Sequence, residues 1–310
     1  MVLEIGDQID QRYRVTELLG QGGMGEVWAA VSEQDGREVA LKVLKERAAR
    51  KADIVARFKR EARIAEHLRS PFVCSLLDTA YTSTGSLVLV FERLRGESLS
   101  DRLKRENFLP FSEMFGLVDD MWQGLADAHA ASVLHRDLKP GNIFITCHED
   151  GSERAVMLDF GVSKLLNVAR EENENTLTAI DGTVGSFAYM APEQVRGAAR
   201  VDERADIYGV GAVAFRALTG RLPFEGMTAR MVVSLKLGHP PPSLEETTGV
   251  RWPRVMEQYF TQTLARVPAH RFESAAVALT RWRELAEMVE HARVSAVRKS
   301  RLLEADGLDG

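Results

Sequence analysis

Hydrophobic and polar positions change rhythm several times along this chain. Tyr13–Leu19 alternates, as a half-buried strand does. Val27–Val31 is apolar and partly β-branched, and Asp35-Gly36 behind it is a hairpin-turn signal. Glu38–Leu44 is the next strand. From Asp53 to Leu68 the period lengthens: Ile54, Phe58, Ala62, Ala65 and Leu68 recur at three- and four-residue spacing, a helical stripe. Ser86–Phe91 is again short and apolar. Phe111–His129 keeps Phe111, Phe115, Val118, Trp122 and Leu125 on one stripe, and Ser112 with Glu113 supplies its start. Ile143–Thr146 and Ala155–Leu158 are two short strands around the polar turn His148–Arg154. Asp206–Leu218 is apolar nearly all round, so it belongs in the middle of a packed body. Gly209 and Gly211 within it each cost roughly 1 kcal/mol against alanine, which close-packed neighbours would offset. Pro240–Pro242 marks a loop, and Ser274–Glu290 is the last helical stretch.

Composition narrows the field. The chain has 310 residues, enough for two modest lobes or one large domain, with 45% hydrophobic and 27% charged residues. The net charge of −5 gives a nucleic-acid or polybasic membrane role no electrostatic footing. Cys74 and Cys147 make neither a disulfide framework nor a zinc pair, so two reduced thiols and a cytoplasmic location are expected. Met1–Asp10 is acidic and lacks a signal-peptide core, and no run approaches 18 apolar residues, so no membrane span is expected. There is no internal repeat.

Chemistry concentrates in a few stretches. Gly20, Gly22 and Gly25 form a G-x-G-x-x-G, a spacing that dinucleotide-binding folds also use. A dinucleotide fingerprint opens a helix, however, and here a strand follows. A strand–glycine-loop–strand hairpin can lie over phosphates and donate backbone N–H groups. There is no G-x-x-x-x-G-K-[ST], which removes the P-loop class. Lys42 sits between Leu41 and Val43 with Ala40 on its own face, and with the glycine loop upstream it is a candidate for the α/β-phosphates. Glu61 lies at the edge of the helical stripe, where a carboxylate needs a cation, and Lys42 is the natural one.

His135–Asn142 reads His-Arg-Asp-Leu-Lys-Pro-Gly-Asn. It packs into eight residues a carboxylate, Asp137, two cations, Arg136 and Lys139, and a carboxamide, Asn142. Phosphoryl transfer has uses for all four groups: proton acceptor, charge neutraliser, metal ligand and tether for a regulatory phosphate. Asp159-Phe160-Gly161 follows Asp137 by 22 residues, a carboxylate after an apolar strand that suits a Mg2+ ligand. Val162–Gly182 is polar and acidic and reads as exposed and mobile. Thr176, Thr178 and Thr183 lie in or beside it, and a phosphate there would pair with Arg136. Gly185–Glu193 closes the segment. Arg271 is a candidate buried partner for Glu193.

Together these motifs resemble the eukaryotic-like (Hanks-type) serine/threonine protein kinases of bacteria. The match runs over roughly residues 10–285, in the family's order: Leu19–Trp28, Val39–Lys42, Glu61, His135–Asn142, Asp159–Gly161, Ala191–Glu193, Asp206 and Arg271. The resemblance implies an α+β, bilobal protein kinase-like fold, with a small antiparallel β-sheet N-lobe carrying one helix and a larger, mainly helical C-lobe. It places an extension at 1–9, the N-lobe at 10–92, the C-lobe at 93–287 and a tail at 288–310. It implies ATP with Mg2+, or Mn2+ in its place, and transfer of the γ-phosphate to Ser/Thr hydroxyls of protein substrates. Asp137 is then the catalytic base, Lys139 stabilises the moving phosphoryl, and Asn142 and Asp159 hold the metal. Lys42, paired with Glu61, positions the phosphates under Gly20, Gly22 and Gly25. Leu19, Val27, Ala40 and Phe144 sandwich the adenine, Phe91 sits beside it, and the backbone of Glu92 and Leu94 hydrogen-bonds it. Arg136, Thr176, Thr178, Thr183 and Ser186 form the regulatory set, with transient self-association for autophosphorylation. Glu193, Asp206 and Arg271 are structural. Ser186 stands where the family usually has threonine, and the turn His148–Arg154 is a few residues long for it. The alternative reading is a pseudokinase, an ATP-binding scaffold that signals through contacts.

Overall fold

A computed structural model of the chain describes residues 3–22, 25–148, 150–160, 187–197 and 201–289. Gly161, Thr176, Thr178, Thr183 and Ser186 lie outside the described residues. The chain divides into two compact units, residues 1–105 with 124–179, and residues 106–123 with 180–310.

The first unit is built on an antiparallel sheet of six strands. They are β1 (Gln8–Ile9), β2 (Tyr13–Gln21), β3 (Gly25–Ser32), β4 (Glu38–Leu44), β5 (Leu76–Tyr81) and β6 (Leu87–Glu92), in the order β1-β2-β3-β4-β6-β5. Side chains alternate across a strand. On β4 that sends Val39, Leu41 and Val43 into one apolar core with Tyr13, Val15, Trp28, Ala30, Val88 and Val90. Leu3 and Ile9 join this core, so residues ahead of Asp10 help to fill it. Ala40, Lys42 and Leu44 point to the other face. Cross-strand partners share a face, and the register pairs Lys42 with Val27 and Leu89, and Ala40 with Ala29 and Phe91.

Two helices follow β4, the short α1 (Glu46–Ala49) and the long α2 (Ala52–His67). The apolar stripe of α2 puts Phe58 and Ala62 against Leu89, with Leu44, Leu76, Leu87 and Phe91 around them. The helix therefore lies on the Lys42 face of the sheet, and Glu61, beside Ala62, is delivered there.

A second sheet of three strands, β7 (Gly96–Ser98), β8 (Ile143–Cys147) and β9 (Glu153–Met157), completes this unit. Helices α3 (Leu99–Glu106) and α4 (Phe111–Ala130) lie between β7 and β8 in sequence. Within α4, Gly124 is small for a reason: a Cβ there would meet Met157 Cε and Phe72 Cβ, each at 2.8 Å.

The second unit is helical. Its elements include α5 (Pro192–Val195), α6 (Arg204–Thr219), α7 (Ala229–Gly238), α8 (Leu244–Thr248), α9 (Arg254–Thr263) and α10 (residues 275–289). Almost every residue of α6 is buried, as its all-round apolar sequence predicts. Gly211 carries the packing argument: a methyl there would run into Thr263 Cγ2 on α9. Trp282 of α10 is fully buried, stacks on Phe115 with ring centroids 5.7 Å apart, and donates its indole N–H to the Phe115 carbonyl. Ends are capped locally, with the Ser243 hydroxyl and Glu246 carboxylate forming a capping box on α8. Among the described residues no helix is long and apolar enough to cross a membrane.

Candidate active site

Lys42 is the meeting point of two carboxylates. Its ammonium lies 2.6 Å from Glu61 Oε1 and 2.7 Å from Asp159 Oδ1. The side chains of Lys42 and Glu61 are 22% and 18% exposed, whereas Asp159 is 51% exposed. Burial by itself would lower the Lys42 pKa, but the charges of Asp159 and Glu61 together outweigh it and raise it, so the ammonium stays charged. Glu61 is pushed the other way from a normal ion pair. Burial raises its pKa and Asp159 adds to that, against the opposing pull of Lys42.

Backbone contacts aim Asp159. The Met157 N–H donates to the Phe72 carbonyl at 2.8 Å, and the Leu158 N–H to the Asn142 carbonyl at 2.8 Å. Asp159 then turns out of the strand with φ 51°, a left-handed conformation that aspartate tolerates better than most residues. Beside Glu61 and Asp159 lies a small pocket, partly open to solvent, lined among others by Cys74, Phe91, Met157 and Phe160. Burial, with Glu92 and Asp159 nearby, pushes the Cys74 thiol up, so it rests protonated.

The loop His135–Asn142 is held from within. Asn142 donates its amide N–H groups to Asp137, 2.8 Å to the carbonyl and 3.2 Å to Oδ2. The amide nitrogen must face the carboxylate, because two oxygens would repel, so Oδ1 of Asn142 is the atom left for a cation. Lys139 Nζ lies 2.7 Å from Asp137 Oδ2. A 3-10 turn, Pro140–Asn142, brings Asn142 back, and its N–H donates to the Lys139 carbonyl at 2.9 Å.

His135 anchors the loop. It is fully buried, its Nδ1 lies 3.3 Å from the Asp137 N–H, and its Nε2 lies 3.0 Å from the Leu158 carbonyl. An N–H facing Nδ1 and a carbonyl facing Nε2 fix the neutral tautomer with its proton on Nε2. The imidazole thereby ties the loop to the residue before Asp159, and its ring lies 4.6 Å from that of Phe160. Sequence reasoning gave His135 no role of its own. Arg136 has a left-handed φ of 62°.

The remaining nucleotide-side candidates lie in the same compact unit. The Gly22 N–H donates to the Gly25 carbonyl at 2.9 Å. A Cβ on Gly25 would sit 2.5 Å from the Val43 carbonyl oxygen, so only glycine fits there. Leu19, Val27, Ala40, Phe91 and Phe144 are each half-buried. The Glu92 N–H is already given to the Ser75 carbonyl, and its carboxylate accepts the Ser75 N–H at 2.7 Å.

Glu193, Asp206 and Arg271 fall in the second unit. Arg271 grips Glu193 with both guanidinium ends, at 2.6 and 2.8 Å. Its NH1 also reaches the Arg204 carbonyl, and its Nε the Ala265 carbonyl. Asp206 is buried in the first turn of α6. One buried cation was passed over in the sequence. Lys236 follows Val232 by four positions and Val233 by three, which puts a lysine on the apolar stripe of α7; that placement is its signal.

A six-stranded antiparallel sheet with one long helix, an Asp–Lys–Asn loop and a Lys–Glu–Asp chain are the parts of a protein kinase. Residues 13–282 match the protein kinase domain family, and the chain belongs to that family, in its bacterial serine/threonine branch. It is 35% identical to the serine/threonine-protein kinase pkn3 of Myxococcus xanthus, over 87% of this chain and 49% of that protein. It is 33% identical to the serine/threonine-protein kinase PknA of Mycobacterium tuberculosis, over 87% of this chain and 60% of that protein. The chain therefore spans roughly half the length of these relatives. Among solved structures, the PknI kinase domain of Mycobacterium tuberculosis aligns with a TM-score of 0.68 at 26% identity, covering 92% of this chain and all of that one. Rad53 residues 1–466, in complex with AMP-PNP, shares the fold with a TM-score of 0.69 at 23% identity, over 87% of this chain and 65% of that one.

Proposed function

We propose that this chain is an ATP-dependent serine/threonine protein kinase that moves the γ-phosphate of ATP to hydroxyls of protein substrates and to threonines of its own segment after Asp159. The observation that carries this is the Asp137 carboxylate held by both Lys139 and Asn142, in a chain whose Lys42 bridges Glu61 and Asp159. Asp137 accepts the proton of the attacking hydroxyl. Lys139 neutralises charge shared between that carboxylate and the phosphoryl group. Lys42 binds phosphate oxygens, and Glu61 keeps its ammonium in place. The half-exposed carboxylate of Asp159 and the Oδ1 of Asn142 are hard oxygen donors, which suits Mg2+. Bound there, the cation would supply charge neutralisation on the phosphates. The glycine hairpin covers the phosphates, and Leu19, Val27, Ala40 and Phe144 enclose the adenine beside Phe91. The Glu92 carbonyl and the Leu94 N–H are its hydrogen-bonding groups, since the Glu92 N–H is spent on Ser75. The need for ATP and the two unpaired thiols, Cys74 and Cys147, favour the cytoplasm.

The test is intact mass after incubation with Mg-ATP, wild type beside Asp137→Asn. Increments of roughly 80 Da per phosphate are expected in the wild type alone. No increment in either protein, with an ATP-induced rise in Tm, would instead favour an ATP-binding scaffold.

A further inference from the structure

Lys236 is 1% exposed, yet it carries a charge into the interior of the second unit. Its Nζ lies 2.7 Å from the carbonyl oxygen of Phe187, 2.9 Å from that of Ala188 and 2.6 Å from that of Met190. An ammonium has three N–H donors and no acceptor, and three carbonyls converge on it. These carbonyls belong to a stretch that joins Ser186 to Ala191-Pro192-Glu193. The stretch is held by one cation on α7 across nearly fifty residues of sequence.

Three residues further on, Arg271 holds Glu193 through both carboxylate oxygens. The two cations share a support. The ring centroid of Tyr208, on α6, lies 5.2 Å from Lys236 Nζ and 5.0 Å from Arg271 Cζ. Residues 187–193 are thus fixed at both ends, by two buried cations resting on one aromatic ring. A buried charge is tolerated only where dipoles or counter-charges replace its water, so the carbonyls hold Lys236 as firmly as it holds them.

We propose that Lys236 is a positioning residue for the phosphoryl acceptor. It locks the carbonyls of Phe187, Ala188 and Met190, and the acceptor docks against the backbone so held. The link to phosphoryl transfer rests on the kinase reading above. An unclamped segment has to be ordered each time an acceptor engages, which costs acceptor affinity. Lys42, Glu61 and Asp159 belong to the other compact unit, so nucleotide binding is left alone.

The test uses the full chain as wild type, Lys236→Met and Lys236→Arg, with β-casein as acceptor. Hydrogen–deuterium exchange reads the clamp directly, and steady-state kinetics read its effect. In Lys236→Met, amides across 187–193 should exchange about tenfold faster or more, with those around Lys42 and Asp159 unchanged. The KM for casein should rise about tenfold, with kcat and the KM for ATP within about twofold. Lys236→Arg, whose guanidinium still donates to carbonyls, should recover part of both losses. If Lys236→Met does not fold, Lys236→Gln, which keeps two N–H donors, is read by the same measurements. Unchanged exchange at 187–193 overturns the proposal. So does faster exchange spread over the whole unit with an unmoved casein KM, which would make Lys236 a stability residue only. A wild type without phosphoryl transfer counts against the kinase reading, and the exchange comparison still decides the clamp.

Discussion

One oxygen of Asp137, Oδ2, faces both Lys139 Nζ and Asn142 Nδ2. Asp137→Asn keeps size and shape but, on the function proposed above, removes the proton acceptor. Transfer should fall by about 10²–10⁴-fold, the usual worth of a general base, with Tm within a few degrees of wild type. A radiometric transfer assay beside a thermal melt checks both halves, and wild-type rates in the variant would remove Asp137 from that role. Tyr208 makes the opposite case. Its hydroxyl is buried and makes no hydrogen bond among the described residues, and burial raises its pKa. Its ring, however, supports Lys236 and Arg271. Tyr208→Phe keeps the ring and drops an unsatisfied group, so stability should be unchanged or higher by up to about 1 kcal/mol. A clear loss in urea unfolding would mean that the hydroxyl has a partner.

At the scale of elements, two glycines in helices should respond oppositely to the same methyl. Gly211 of α6 faces Thr263 of α9 with no room for a Cβ. Gly211→Ala should destabilise by about 1–3 kcal/mol, because two well-packed helices have to move apart. Gly116 of α4 has nothing within 4 Å of where its Cβ would stand. Gly116→Ala should stabilise by about 0.5–1 kcal/mol, through helix propensity and a less flexible unfolded chain. Chemical denaturation of both variants tests the pair; equal shifts would show that α6 and α9 do not approach as described. The strands follow the same logic of faces. Lys42 reaches Glu61 because β4 alternates and α2 covers one side of it.

For the molecule as a whole, acid sensitivity follows from an ionic network on the first unit. Glu97 of β7 takes Arg105 through both oxygens and Arg102 through one, and Arg102 goes on to Glu153 of β9. Hydrogen bonds from Arg105 first, then Arg102, hold the Glu97 pKa down to about 2 from its usual 4.5. A lowered folded-state pKa means the unfolded chain binds the proton first. The contribution is therefore full above about pH 4.5 and is lost as the pH falls toward 2. Thermal melts between pH 6 and 3 should show Tm falling less steeply for Glu97→Gln than for the wild type over the acid part of that range. Parallel curves would remove Glu97 from the acid response.

The motifs were legible because their chemistry is local. Asp137, Lys139 and Asn142 lie within six residues, and a loop that must gather a carboxylate, an ammonium and an amide writes them close together. Strand alternation and the stripe of α2 were enough to put Lys42 and Glu61 on facing surfaces, and the pair is there at 2.6 Å. Glu193 and Arg271 also meet as the sequence suggested. β1, β5 and β7 escaped it: β1 and β7 hold only two and three residues, and β7 finds its partner far along the chain, Gly96 pairing with Thr146. Leu3 and Ile9 looked like part of an extension and proved to be core. The tautomer of His135, the crowding at Gly211 and the carbonyls around Lys236 each depend on a partner between two and 52 positions away, and for Lys236 and Gly211 on a separate element. Periodicity reports which face of an element is apolar, and motif spacing reports which groups a loop brings together. Neither says which distant atom a buried polar group will find, because that choice is made by packing, and only the folded chain decides it.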